Sequence, residues 1–496
     1  MNVRLNCIAQ LREIRERKQR VLVIGLGISG IESAKLLARL GIATSTIERD
    51  SFENYKAKTK FNDRLAELND VGVKTVFGID GEKISDQLND AGLCVLSPGV
   101  SQESAIVGAL RRHGIPTIGE LELGIELKGL PFVAVTGSNG KSTTVSLMQA
   151  IFESDGFDST LCGNVGTPVV SSLGADALDV TPRTERALQV VEVSSYQLES
   201  CSVIKPKVAC LLNISDNHLE RHGSLERYLL CKSKLFENQD ASDFAVLNVD
   251  DGRVAALAPK LVGQVMYFGR AGANTKGKLG AFFRYEPKTG EDVIEVNLPK
   301  RRREFLVHTT KLHGLHNRYN ICTAVLATLL MGASDAAVEK AIQNFLPLEH
   351  RQELVANTGR FVIINDSKST TVAASQAAIL SALDTYPNRR LTLMLGGLVK
   401  AGSWEPVIKI VEANKSRLQL ILFGKDRNIL ADHFEERGCR FESCSKLADA
   451  TKFAIEHLQS DDVLLFTPGA ASFDEFKDFE ERGRFFKQQV SNYLGA

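Results

Sequence analysis

The stretch Phe132-Val133-Ala134-Val135-Thr136-Gly137-Ser138-Asn139-Gly140-Lys141-Ser142-Thr143-Thr144 constrains this chain more than any other. An apolar, β-branched run breaks into a glycine-bearing loop, and the loop opens a segment patterned as a helix from Val145 to Phe152. A strand that passes into a helix through such a loop frees backbone N–H groups to wrap an anion, and the helix N-terminus adds positive potential. Lys141 is then placed to reach terminal phosphates, and Ser142 or Thr143 to ligate Mg²⁺. The standard phosphate-loop spacing puts a glycine where Val135 stands; the nearest glycine is Gly137. Strand, loop, Lys-Ser pair and helix all remain. The segment implies a nucleoside triphosphate site.

With 496 residues the chain is long enough for two to four domains, each with its own core. Lys+Arg and Asp+Glu are both 60, so no global field favours nucleic acid or a membrane surface. The nine cysteines are scattered and contain no Cys-x-x-Cys, which argues against a disulfide framework or a zinc site. The first twenty residues are basic but lack an apolar core for a signal peptide, and no apolar run reaches the ~18 residues of a membrane span. A cytoplasmic α/β enzyme is expected.

Upstream, Val21-Leu22-Val23-Ile24 leads into Gly25-Leu26-Gly27-Ile28-Ser29-Gly30, then a helix, a second strand and Glu48. This is the dinucleotide fingerprint, with the acid about 20 residues on to meet a ribose. Taken alone it leaves NAD, FAD or another diphosphate-bearing ligand open. Leu93 to Leu96 runs into Ser97-Pro98-Gly99-Val100, a second strand-end loop where ligands collect in open parallel sheets. In the middle of the chain the run Ala187 to Val191 ends at Glu192, a carboxylate suited to nucleotide Mg²⁺. The run Val208 to Leu212 precedes Asn213 to His218. Lys232, on a predicted helix, looks like a solvated side chain. Residues 270–306 are read as a β-hairpin excursion without assigned chemistry. After Pro347, four apolar strand candidates alternate with helices, and three of them end in polar loops: Asn365 to Thr370, Gly396 to Lys400 and Thr467 to Phe473. These loops should share one rim of a sheet.

Six blocks occur in the order found in the Mur ligases: Thr136 to Thr143, Glu192 to Leu198, Asn213 to His218, Leu315-His316-Asn317, Asn365 to Lys368 and Ser472 to Phe476. The chain therefore resembles this family of ATP-dependent amide-bond-forming enzymes of peptidoglycan synthesis over essentially its whole length. The resemblance implies an α/β fold of three domains: a Rossmann-like UDP domain (1–128), a P-loop ATPase-like central domain (129–346) and a Rossmann-like C-terminal domain (347–496). Within the family, Gly-Leu-Gly-Ile-Ser-Gly with Ser-Pro-Gly-Val, the block Ser472 to Gly483 and the lack of Asp-Asn-Pro-Arg resemble the member that adds D-glutamate to UDP-N-acetylmuramoyl-L-alanine.

The resemblance also assigns roles. Gly27, Ile28, Ser29, Gly30, Glu48, Ser97, Pro98 and Gly99 would hold UDP rather than NAD. Gly137, Ser138, Asn139, Gly140, Lys141, Ser142 and Thr143 would cradle ATP, with Asn317, Asn320, Arg351 and Asp366 on its nucleoside side. Ser142 and Glu192 would hold one Mg²⁺ and His218 a second; Lys232 would be carbamylated into a further metal ligand. Lys141, Glu192, His218 and Lys232 form the catalytic set. Asn164 would face the substrate. Thr370, Lys400, Ser472 and Phe473 would hold glutamate, and Lys368 the closed active form. A monomer is expected. Two positions depart from the family pattern: Asn217-His218 replaces Asp-His, and Gly-Gly-Leu-Val-Lys keeps only the lysine of Gly-Gly-x-Asp-Lys. The second leaves the handedness of the glutamate open. The alternatives are a related ligase adding L-glutamate or another amino acid, and an NAD-dependent oxidoreductase with an appended ATPase.

Overall fold

The computed structural model describes residues 7–58, 62–179, 184–215, 219–286, 291–299, 301–307, 310–312, 314–399 and 403–495. Three sheets carry the architecture. The first has five parallel strands in the order Lys74–Phe77, Ala43–Glu48, Arg20–Ile24, Ala91–Leu96 and Thr117–Gly119. The strand order reverses beside Arg20–Ile24, so the fingerprint loop after it and the loop after Ala91–Leu96 flank the switch point, where open α/β sheets bind ligands.

The second sheet has nine strands, with Phe132–Thr136 between Val208–Leu211 and Ala187–Glu192. All three are buried at every position, which is why they read as continuous apolar runs rather than alternating ones. The excursion resolves into the strands Gly280–Glu286, Glu291–Leu298 and Arg301–Leu306, an antiparallel meander that extends this sheet at one edge. The third sheet has six strands and is parallel except for its edge strand Glu353–Asn357. Its strands Phe361–Asn365, Asp462–Gly469 and Leu391–Gly396 are neighbours, so the three polar loops after them do share a rim. The loops are also bonded together: Gly469 N–H donates to Ser369 O at 2.9 Å, and Leu398 and Ala471 exchange two backbone bonds of 2.9 Å.

The chain divides into two compact units. The first contains the first two sheets and Cys322–Ala341; the second contains the third sheet with Val307–Ile321. Within the second unit Gly314 approaches Ser381 so closely that a Cβ would sit 1.8 Å from its hydroxyl oxygen, and Gln352 Nε2 meets His316 Nε2 at 3.0 Å. No helix among the described residues is long and apolar enough to cross a membrane.

Within the first unit the helix Glu120–Lys128 joins the two sheets. Gly119 N–H donates to Ser200 O at 3.1 Å, Glu120 Oε1 accepts from Val170 N–H at 3.2 Å, and Glu122 Oε1 accepts from Ser202 N–H at 2.7 Å and from Val203 N–H. A Cβ on Gly124 would lie 2.6 Å from Val169 Cβ, so only glycine allows this approach. Burial pushes the Glu120 carboxyl up to about 7, against the pull of the Val170 and Val169 N–H groups and the Ser29 hydroxyl.

Gly124→Ala should cost about 1–3 kcal/mol by overpacking this contact, read as a lower denaturant midpoint. Glu120→Gln should act with pH. Between its ordinary pKa and about 7 the folded state binds more protons at this site than the unfolded one, so wild-type stability falls as pH rises through that window. The variant should therefore melt above wild type at pH 8, with the gain shrinking toward pH 5.

Candidate active site

Three helices of the first unit begin at a glycine with no side-chain cap: Glu120–Lys128 after Gly119, whose first turn carries its own acids, and, at the two candidate anion loops, Ile28–Arg39 after Gly27 and Lys141–Ser154 after Gly140. Elsewhere the caps Ser104, Ser194, Ser224, Thr371 and Asp478 each accept a first-turn N–H with their side chains. A glycine cap leaves that role to an incoming anion. At the first site Gly30 is required by close approach, since a Cβ there would lie 2.0 Å from Gly25 O and 2.5 Å from Ser97 Oγ. Ser97 Oγ donates to Gly25 O at 2.6 Å and so ties the two switch-point loops together. Glu48 closes the loop from the other side, accepting from Leu26 N–H at 3.0 Å and Asp50 N–H at 3.1 Å. In this structure Glu48 shapes the fingerprint loop. Ile28, 41% exposed, and Gly27 and Gly99 lie at the surface beside it.

At the second site Gly137 has φ 150° and Gly140 φ 87°, both in the region that favours glycine. A Cβ on Gly137 would meet Leu212 Cβ at 2.9 Å. Asn213 fixes the loop: its O accepts from Ser138 N–H at 2.9 Å, its Oδ1 from Asn139 N–H at 2.8 Å, and its Nδ2 donates to Asn139 O at 3.1 Å. Lys141 Nζ folds onto the loop, donating to Gly137 O at 2.8 Å and Ser138 O at 3.0 Å. Ser142 Oγ donates to Glu192 Oε2 at 2.5 Å, and Asn164 Nδ2 to Glu192 Oε1 at 2.7 Å. Thr143 is buried in the same first turn.

Lys232 is 1% exposed, contrary to a solvated helix residue. Its Nζ donates to Thr136 Oγ1 at 3.1 Å and lies 4.7 Å from the Tyr228 ring centroid. Burial, then the charge of Lys141, holds its pKa well below that of an ordinary lysine. Periodicity could not reveal this, because the helix Leu225–Ser233 turns Lys232 inward beside Tyr228 and Cys231. His218 and Asn217, and Lys400 of the third rim loop, lie outside the described residues.

The donor set fits the groups it would hold. Ser142 and Glu192 supply hard oxygen ligands suited to Mg²⁺, and the glycine-shaped loop with Lys141 suits a triphosphate.

The second unit holds another set. Asn317 and Asn320 are buried and bonded to each other at 3.0 Å, as their i, i+3 spacing on one helix face implies. Asp366, expected to face a nucleoside, is instead engaged: it accepts from Gln352 N–H at 3.1 Å, Thr467 Oγ1 at 3.0 Å and Ser369 Oγ. Burial raises its pKa to about 6, against those hydrogen bonds and the Arg351 charge. Lys368 Nζ lies 3.6 Å from the Phe479 ring centroid, and Thr370 N–H donates to Lys368 O at 2.9 Å. Ser472 is buried and Phe473 69% exposed. Arg482, which sequence reasoning missed, is the support beneath this rim. It is 1% exposed and donates to Ser367 Oγ (3.1 Å), Ser367 O (2.8 Å) and Ala470 O (3.0 Å).

Family models match twice: the Mur ligase middle domain over residues 135–328, and the Mur ligase glutamate ligase domain over 350–469. The chain belongs to the Mur ligase family. Among its relatives, a UDP-N-acetylmuramoylalanine--D-glutamate ligase of Koribacter versatilis is 34% identical over 96% of this chain and 97% of its own. The enzyme of the same name from Clostridioides difficile is 31% identical over 96% and 98%. Among solved structures, MurF from Acinetobacter baumannii matches with a TM-score of 0.60 at 16% identity, covering 99% of this chain and 98% of that one. UDP-N-acetylmuramate-alanine ligase from Thermotoga maritima matches at 0.55 and 18%, covering 96% and 99%. These likenesses show the three-domain α/β fold of a Mur ligase.

For this Mur ligase the lysine environment carries a stability signature. Between its depressed pKa and about 10.4 the unfolded state binds more protons at Lys232, so wild-type stability rises with pH across that window. Lys232→Met should therefore melt above wild type at pH 7 in bicarbonate-free buffer, the gap narrowing as pH approaches about 10.

Proposed function

We propose that this enzyme adds D-glutamate to UDP-N-acetylmuramoyl-L-alanine, the ligation that the names of its relatives describe for them, and that it converts ATP to ADP and phosphate in doing so. The observation that carries the reading is the cluster of Lys141, Ser142, Glu192, Asn164 and Lys232, in which Ser142, Glu192 and Lys232 are buried, at the end of adjacent strands. The proposed division of labour is a UDP-substrate domain over 1–128, an ATP domain over 129–346 and an amino-acid domain over 347–496.

The terminal carboxylate of the UDP substrate takes the γ-phosphoryl group of ATP and becomes an acyl phosphate. The glutamate amine then attacks the carbonyl carbon, and the tetrahedral intermediate collapses to the amide with loss of phosphate. Two anions must meet, so cationic groups decide the rate. Lys141 leaves the loop carbonyls to follow the transferring phosphoryl group. Ser142 and Glu192 would hold Mg²⁺, with His218 at a second site, and the metal would supply positive charge against the phosphoryl oxygens. Burial disfavours the ammonium form of Lys232, and the amine left by loss of that proton has a free electron pair to bond the carbon of CO₂. Loss of one proton from nitrogen to solvent leaves an anionic carbamate as a metal ligand. Gly137 to Thr143 bind the phosphates; Asn317, Asn320, Arg351 and Asp366 bind the nucleoside, Asp366 after exchanging its present partners. Gly27 to Gly30 and Ser97 to Gly99 bind the UDP moiety with Glu48 behind them. Lys368, Thr370, Lys400, Ser472 and Phe473 receive glutamate. We place the enzyme in the cytoplasm as a monomer.

Phosphate release should require both UDP-N-acetylmuramoyl-L-alanine and D-glutamate, with an amide product in equal amount. ATP hydrolysis indifferent to glutamate, or an amino-acid panel preferring L-glutamate or another amino acid, would overturn the assignment. Lys141→Ala should abolish turnover. Tight NADH binding without UDP binding would favour an oxidoreductase instead.

A further inference from the structure

Arg221 sits on the short helix Leu219–His222, and none of the roles above uses it. Its guanidinium makes bonds in two directions. Toward the second sheet it forks onto Glu199, with Nε at 3.1 and 3.2 Å from the two carboxylate oxygens and Nη2 at 2.6 Å from Oε2. Toward the first sheet Nη1 donates to Gly99 O at 3.3 Å and Nη2 to Val100 O at 3.1 Å. The same group lies 5.2 Å from the Tyr196 ring centroid. The fork onto Glu199 and the planar stack fix the guanidinium in one orientation, which a lysine could not reproduce.

What Arg221 joins is informative. Glu199 ends the helix Ser195–Glu199, which starts three residues after Glu192. His222, next to Arg221, fastens the two helices a second time through Nε2 to Ser195 Oγ at 3.0 Å. Gly99 and Val100 belong to the switch-point loop whose Ser97 is bonded to Gly25 at the head of the fingerprint. One side chain thus links the loop beside the fingerprint to the helix Ser195–Glu199, which follows the strand that ends at Glu192. An ion pair serving stability alone needs only its carboxylate. This one also spends two donors on carbonyls of a ligand loop.

We propose that Arg221 is a positioning residue for the nucleoside-diphosphate sugar: it sets the Ser97–Val100 loop in register with the centre at Lys141 and Glu192. This rests on the UDP-sugar reading of the first sheet. Removing Arg221 frees two loop carbonyls and lets the loop drift, which weakens binding of the UDP substrate while the ATP and glutamate contacts stay as they are.

The test compares wild type with Arg221→Gln, Arg221→Lys and Glu199→Gln, using UDP-N-acetylmuramoyl-L-alanine and UDP alone as calorimetric probes, together with all three KM values. Arg221→Gln should raise Kd and KM for the UDP substrate about tenfold or more, the worth of one charge-assisted hydrogen bond, and leave KM for ATP and glutamate unchanged. Arg221→Lys should recover part of the loss. Glu199→Gln should move the same KM in the same direction, and the double variant should be no worse than Arg221→Gln, because the two act as one unit. An unchanged UDP-substrate Kd, three KM values rising together or additive losses would overturn the proposal. If Arg221→Gln does not fold, an unchanged UDP-substrate KM in Glu199→Gln overturns it equally. Wild type that binds no UDP substrate would instead sink the functional reading beneath it.

Discussion

A carboxylate taken out of water must be paid for by hydrogen bonds, and the site is arranged around one such group. Glu192 is 2% exposed at the end of a fully buried strand, where an ionised side chain is stable only with donors aimed at both oxygens. Ser142 satisfies one oxygen from the first turn of the phosphate-loop helix; Asn164 satisfies the other from the loop after Asp158–Gly163. Three neighbouring elements are thereby held in register by a charge that none of them could bury alone. The same group raises the affinity of Lys232 for a proton, while burial and Lys141 oppose it more strongly. A buried lysine and a buried carboxylate in one polar centre are costly to a fold, so their presence marks a site rather than a core.

Much of this was legible in the chain itself. Apolar runs ending at Thr136, Glu192 and Leu211 are fully buried parallel strands, and their length and β-branching read correctly without any alternation. Glycine positions were legible too, because Gly30 and Gly137 answer to steric demands that any residue with a Cβ would violate. What stayed hidden depends on contacts between distant segments. Lys232 lies 96 residues from its partner Thr136, and Arg482 lies 115 from Ser367. No local pattern distinguishes a lysine or arginine on a helix face that turns inward from one that meets solvent. Glu48 and Asp366 show the converse. Their types and places at strand ends were legible, yet their carboxylates are occupied by backbone N–H groups and hydroxyls of the protein.

The rim of the third sheet is built with the same economy of side chains. Asn365, Asp366 and Ser367 are consecutive, and each is committed. Asn365 Nδ2 meets His350 Nδ1 at 2.9 Å, Asp366 receives Gln352 and Thr467, and Ser367 Oγ donates to Phe479 O at 2.8 Å. Arg482 closes the set from below. The loop is thus rigid where it leaves the strand, and Lys368 and Thr370 are carried on a fixed base.

The helix Glu120–Lys128 has a consequence for how such a joint ages. Glu120 and Glu122 grip Val170, Ser202 and Val203 chiefly through peptide N–H groups, and Gly119 grips a peptide carbonyl of Ser200. Every amino acid but proline offers the same N–H. The backbone bonds of this seam therefore do not depend on which side chains Ser200, Ser202 and Val203 carry, whereas Gly124, pressed against the buried Val169, is held to its identity by sterics.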